Sequence, residues 1–197
     1  MNKTGAGKLV LSGTSLYTGA TTVTAGTLLV NGSISGSTVT VNAGGTLGGS
    51  GTIIGDVLVN GALALGDAAG TLTLGLTDLT LGSGATSTFE LESPFNFDRV
   101  SGIDQLTLDG IFNVALFGGY VPMEGDIFDL FDFTTVNALG FNAATDLVLP
   151  SLGPGLSWDH SDFVSDGVLT VIPEPSVAFA LLSGLSLIGG LRRFRRP

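Results

Sequence analysis

Over residues 1–92, apolar and polar positions alternate in short runs. Candidate strands lie at 8–11, 21–24, 27–30, 38–41, 52–54, 57–59, 62–65, 71–74 and 79–81. Each combines β-branched residues or leucine with threonine at period two, the spacing that sends alternate side chains to opposite faces of a strand. Glycine, Asn-Gly and aspartate separate the runs, and these residues enter turns of positive φ at little cost. One phrase recurs, as Val30-Asn31-Gly32, Val41-Asn42-Ala43-Gly44 and Val59-Asn60-Gly61. The interval from Asn31 to Asn42 is much shorter than that from Asn42 to Asn60, so the repeat is degenerate. Short strands of this kind build either a sandwich or a coil whose turns stack. Side-chain size favours the coil. Tyr17 is the only aromatic before Phe89, and Val, Ile, Leu and Ala fill a narrow coil where a sandwich core needs larger groups. Val30, Val41 and Val59 are expected to point inward, and Thr40 outward.

The pattern changes at Ser93-Pro94. Phenylalanine becomes frequent, Trp158 appears, and aspartates multiply. Strands are expected at 104–108, 111–117, 127–133 and 167–172, with turns at Asp109-Gly110 and 122–125. A Pro/Gly loop at 149–155 leads into Leu156-Ser157-Trp158-Asp159. An open coil end exposes an apolar cross-section and unpaired strand edges. The aromatics of 93–172 suit a β-rich cap for that end, either as a small sandwich or as broadened last turns.

Residues 173–197 form a third part. Pro173 and Pro175 flank Glu174, which predicts an extended, accessible segment. From 176 to 191 there is no charge, and Arg192, Arg193, Arg195 and Arg196 follow. A helix of this length spans about 24 Å against a hydrocarbon core of about 30 Å, a gap that arginine snorkelling and local thinning can close. The arginines place the C-terminus in the cytoplasm and the rest of the chain on the outer side. Helix is expected nowhere else.

Two resemblances rest on these residues. Pro173-Glu174-Pro175, the apolar run 177–191 and the arginine cluster, in that order, resemble the PEP-CTERM sorting signal of exported bacterial proteins. That resemblance implies a membrane enzyme of the exosortase type as partner, which reads and removes the tail at Pro173-Glu174-Pro175. Gly7-Lys8-Leu9-Val10-Leu11-Ser12-Gly13, Tyr17-Thr18-Gly19 and Thr21-Thr22-Val23-Thr24-Ala25-Gly26-Thr27-Leu28 resemble the autotransporter-associated β-strand repeat. It implies turns of a right-handed parallel β-helix, as in the passenger regions of surface proteins. The expected fold is therefore all-β: a right-handed parallel β-helix over 1–92, a β-rich cap over 93–172, and one short C-terminal transmembrane helix within 173–197. Such repeats usually occur in tandem, and Met1 to Gly13 lacks the apolar run of a signal peptide. Further repeats and a leader are expected upstream.

Charge and chemistry narrow the function. Ahead of the tail, Lys3, Lys8 and Arg99 stand against all 17 acids, a net charge of −14. Nucleic acid would repel such a body. Cysteine is absent, which excludes disulfides, thiol nucleophiles and thiolate metal sites. Gly5-Ala6-Gly7-Lys8 fails as a phosphate loop, because Asn2 stands where a glycine is needed and Leu9 where a hydroxyl is needed. No dinucleotide fingerprint occurs. The single histidine, His160, lies in a polar turn, so no catalytic residue is assigned. Asp126, Asp129 and Asp132, and Asp159, Asp162 and Asp166, lack the spacing of calcium loops; they read as solvated acids, with no metal and no cofactor. The expectation is a non-enzymatic structural or adhesive protein of the cell surface, biofilm or extracellular matrix, exported and membrane-anchored before processing. Its partners would be the sorting enzyme, the membrane and extracellular exopolysaccharide. The alternative is a β-helical polysaccharide-binding or polysaccharide-degrading protein, for which Lys3 and Lys8 are the only bases in the coil.

Overall fold

A computed structural model describes residues 1–66, 69–138 and 140–174. The chain opens with β1 (Asn2–Lys3), β2 (Lys8–Leu11), β3 (Thr14–Ser15), β4 (Thr21–Val30), β5 (Ser33–Ser35) and β6 (Val39–Gly48). It continues through β7 (Thr52–Ile54), β8 (Val57–Val59), β9 (Ala62–Ala64), β10 (Thr71–Leu81) and β11 (Thr86–Ser93). Next come β12 (Asn96–Phe97), β13 (Arg99–Thr107), β14 (Ile111–Leu116), β15 (Ile127–Asp129) and β16 (Phe131–Asn137). The last elements are α1 (Ala143–Asp146), β17 (Leu147–Val148), β18 (Leu156–Asp159), α2 (Phe163–Asp166) and β19 (Val168–Pro173).

These strands wind into a parallel β-solenoid with three faces. The first face stacks β3, β5, β7 and the leading halves of β10, β13 and β16. The second stacks β1, the starts of β4 and β6, β8, and the ends of β10, β13 and β16. The third stacks β2, the ends of β4 and β6, β9, β11, β14 and β17. Register on the second face runs Asn2, Thr22, Thr40, Leu58, Thr80, Thr107, Asn137. The turns are tightest between Thr22 and Leu58, and each one after Leu58 is longer than the last. Several expected strand pairs are single strands bent at a corner. Runs 21–24 and 27–30 join in β4, and 71–74 and 79–81 join in β10.

Inward positions stack in rows. Val23, Val41, Val59 and Leu81 align on the second face. Leu9, Leu28, Leu47, Leu63, Ser87, Phe112 and Leu147 align on the third. Val30, Val41 and Val59 are fully buried, as expected. Outward rows carry hydroxyls: Thr14, Ser33, Thr52, Thr73 and Ser101 on the first face, and Thr22, Thr40, Thr80 and Thr107 on the second, where the exposed Leu58 interrupts the row between Thr40 and Thr80. Period two sets the side each residue faces, and the stacked backbone ladder sets the row.

Corners need close backbone approach. A Cβ on Gly32 would collide with the carbonyl of Gly13 one turn earlier, and a Cβ on Gly51 with that of Gly32. Polar side chains also clasp turn to turn at the corners. Asn31 Oδ1 accepts from Ser50 N, Asp56 Oδ1 from Asp78 N, and Asp78 Oδ1 from Gln105 N, at 3.2–3.3 Å. A buried hydroxyl network, Tyr17 to Thr21 to Ser37 to the Gly19 carbonyl, closes the corner between the first and second faces. The recurrent Asn phrase thus serves two different corners: Asn31 follows the third face, whereas Asn42 and Asn60 follow the second.

The coil does not stop at residue 92. β13, β14, β16 and β17 continue its faces, and the longer late turns are filled by larger side chains. Phe89, Phe112, Phe131, Phe141 and Phe163 meet edge-on or tilted at 4.9–6.3 Å between ring centres. Phe163 comes from α2 and is fully buried against the last turn. Beside it, β15, β19 and β18 form a separate antiparallel sheet in that order. Broadened turns and a small sheet therefore both contribute to the end of the coil. The one-turn helices α1 and α2 correct the expectation that helix is confined to the tail. Asn142 Oδ1 caps α1 through Ala144 N, and Gly167 at φ 75° ends α2, so local turn chemistry rather than periodicity makes them.

The inward and outward rows give a direct test. Val41→Asp places an unpaired carboxylate in the core row and is expected to cost several kcal/mol. Thr40→Asp, on the outer side of the same strand, is expected to cost under about 1 kcal/mol. Thermal melts of the two variants measure the difference; equal melting temperatures would mean that the facing of β6 is wrong.

Candidate functional site

The sorting-motif residues divide at the edge of the described chain. Pro173 ends β19, where it stands opposite Leu156 of β18, and Glu174 N donates to the Gly155 carbonyl at 2.8 Å. Both residues are exposed, and Pro173 belongs to the strand. Pro175, the apolar run and Arg192, Arg193, Arg195 and Arg196 lie outside the described residues. Among the described residues, no helix is long and apolar enough to cross a membrane.

Hydrogen bonds fix the end of the antiparallel sheet from which the tail departs. β19 runs out where β15 and β18 begin, so Glu174 shares that end with the loops 120–126 and 150–155. Gly125 N donates to the Val171 carbonyl and Val171 N to the Asp126 carbonyl, both at 2.9 Å. Asp126 is nearly buried and accepts from the Tyr120 hydroxyl and, at 2.7 Å, from Met123 N. Burial and the neighbouring Asp126 carboxylate push the Tyr120 hydroxyl above its ordinary pKa. On the other side, Trp158 Nε1 donates to the Pro150 carbonyl at 2.9 Å.

The acid triplets separate in three dimensions. Asp126 belongs to the loop just described. Asp129 pairs with Arg99 at 2.6 Å, and the more exposed Asp132 stands 3.9 Å from the same guanidinium nitrogen. Burial raises the Asp129 pKa; Arg99 opposes that shift, while Asp132 and Asp166 add to it. Asp159 accepts from Ser161 N at 2.9 Å, Asp162 is the N-cap of α2 and Asp166 is its last residue. No group of three metal-ligating side chains converges among the described residues. His160 is exposed.

The burial of two ionisable groups escaped the sequence reading. Lys3 stands in register with Val23, within the inward row, and is nearly buried. Its ammonium donates to the carbonyls of Gly5 and Ala25, which tie it to the corner after β1. Asp98 is 1% exposed. Its carboxylate accepts from Gly70 N at 2.8 Å and Glu90 N at 2.9 Å, bridging two successive turns. Burial pushes its pKa up to about 6; the two N–H donors resist the shift, and Glu90 and Glu92 reinforce it. Nothing in the run Phe97-Asp98-Arg99 signals a buried acid.

Because the folded-state value lies above the ordinary 3.8, the native protein binds this proton more tightly than the unfolded chain. Asp98 therefore adds stability as pH falls from about 6 towards 4, and that gain is lost as pH rises through 6. The swing is at most about 3 kcal/mol. Asp98→Asn is expected to flatten this leg of a melting-temperature profile recorded from pH 4 to 8. An unchanged profile would show that Asp98 is not the group responsible.

Comparison with known families agrees with the architecture. The family model of the passenger-associated transport repeat matches residues 1–30, which span β1 to β4. A search of curated proteins gives no match. A passenger-type repeat at the start of a parallel coil fits an exported, surface-displayed, passenger-like protein.

Proposed function

We propose that this chain is a non-enzymatic structural or adhesive element of a bacterial cell surface or extracellular matrix, delivered there through its C-terminal tail. The observation that carries the reading is the passenger-type repeat over residues 1–30, continued as a parallel coil through β17. The resemblance of residues 7–28 to the autotransporter-associated repeat implies that the coil is right-handed. Its outer rows of threonine and serine, and the lack of any charge from residue 9 to 55, offer neutral donors and acceptors suited to a hydroxyl-rich polymer such as extracellular polysaccharide.

The sorting part of the reading rests on sequence order: Pro173-Glu174-Pro175, an uncharged stretch over 176–191, then four arginines. A permanent anchor needs only the apolar segment and the arginines. Processing by an exosortase-type enzyme uses all three parts. Exposure of Pro173 and Glu174 at the end of β19 supports access for such an enzyme.

Replacing Pro173, Glu174 and Pro175 together with alanine is expected to leave the protein membrane-bound with its tail attached. Mass spectrometry of protein recovered from a host that carries the sorting enzyme checks this. Mature wild-type protein that still ends in Arg192 to Pro197 would reduce the tail to a simple anchor.

A further inference from the structure

The ordered sheet runs almost directly into the apolar tail. Glu174 is still hydrogen-bonded to Gly155, and the uncharged stretch begins at Ser176. At most about 3.5 Å per residue, the chain from Glu174 to Val177 reaches about 10 Å. A headgroup layer is roughly 5–8 Å thick on each side of the hydrocarbon core. If the tail enters a membrane at Val177, the end of the antiparallel sheet stands at most about 5 Å clear of the headgroups.

That end is apolar at its tip. Val121 is 69% exposed and Met123 64%, both on the loop that leads into β15. The loop is not free to fold them away. Asp126 holds Tyr120 and Met123 N from the protein side, and Gly125 and Asp126 are bonded to Val171 of β19. In the antiparallel register Ile127 faces Thr170 and Gly125 N bonds to Val171, and the turn in which Asp126 N donates to the Met123 carbonyl brings Met123 back beside that pairing. Met123 is thus held, exposed, by a loop bonded to Val171, three residues before Glu174, and the exposed Val121 lies two residues before Met123 on the same loop. On the neighbouring strand, Pro154 and Gly155 precede β18 at the same end.

We propose that the loop 120–126, with Val121 and Met123 at its tip, is a membrane-contact surface that seats the body on the outer lipid leaflet before the tail is cut. The proposal rests on the reading of 177–191 as a membrane segment. The partner is a zwitterionic lipid surface, because Glu124 on the same loop and the net negative body disfavour an anionic one. Seated in this way, Pro173-Glu174-Pro175 is held at the depth of the headgroups, where a membrane-embedded enzyme works. A flexible tether would instead let the body tumble above the membrane.

The chain has no cysteine, so single cysteines can report position. Full-length protein carrying Val121→Cys, Met123→Cys, Thr40→Cys or Leu185→Cys would be labelled with an environment-sensitive dye and reconstituted in phosphatidylcholine vesicles that contain a lipid-borne quencher. Labels at 121, 123 and 185 are expected to be quenched several-fold more strongly than the label at 40. A quenched label at 185 with 121 and 123 no more quenched than 40 overturns the contact surface and leaves the tail reading intact. An unquenched label at 185 overturns both. Quenching of 123 by a quencher carried on a second protein molecule, with no effect of the lipid-borne one, would assign the surface to self-association and overturn the proposal.

Discussion

Everything in this fold depends on one turn of backbone lying in register on the turn before it. A strand as short as β5, β7 or β8 has too few ladder bonds and too little buried surface to persist alone. Stacked, its amides and carbonyls pair above and below, and its inward side chain continues a row. Val23, Val41, Val59 and Leu81 form such a row, and each member supplies part of the apolar wall for the next. The penalty for breaking a row exceeds the loss of one contact, because both neighbouring turns lose their partner.

Register in turn depends on the corners. Glycines at 32 and 51 let one backbone descend onto another where any side chain would intrude. Side-chain carboxylates and amides from one turn accept N–H groups of the next, as at Asp56 with Asp78. This gives some of the acids of an acidic protein a structural use. Asp98 is the extreme member of this class, a carboxylate held between two turns away from water. It exchanges stability at neutral pH for two backbone hydrogen bonds.

Turn length explains the change of side-chain size. The tight early turns, from Thr22 to Thr40 and on to Leu58, enclose aliphatic groups and the Ser37 hydroxyl but no aromatic ring. The longer ones, from Thr80 to Thr107 and on to Asn137, enclose phenylalanines that meet edge to face. That packing ties α2 and the last turn into one aromatic cluster. The antiparallel sheet grows from the same region and carries the chain out at Glu174. Termination of the coil and departure of the tail are thereby parts of one construction.

Local sequence determined the β class, the strands at β2, β7 and β8, and the inward facing of Val30, Val41 and Val59. Period-two alternation and glycine punctuation are properties of a few adjacent residues, so no distant information was needed. The passenger-type repeat was equally legible, because its phrase over residues 7–28 is contiguous. β11 escaped, since its first inward position is Ser87, a polar residue that hides the apolar row Phe89 and Leu91 complete. The tertiary structure alone decided the rest. It decided which of three faces a strand joins, that the coil passes residue 92, that Lys3 turns inward, and that Asp98 is buried. Each of these depends on what lies one turn away, as far along the chain as Val23 is from Lys3 or Asp98 from Gly70. At that distance stacking supplies the partner, and periodicity carries no signal.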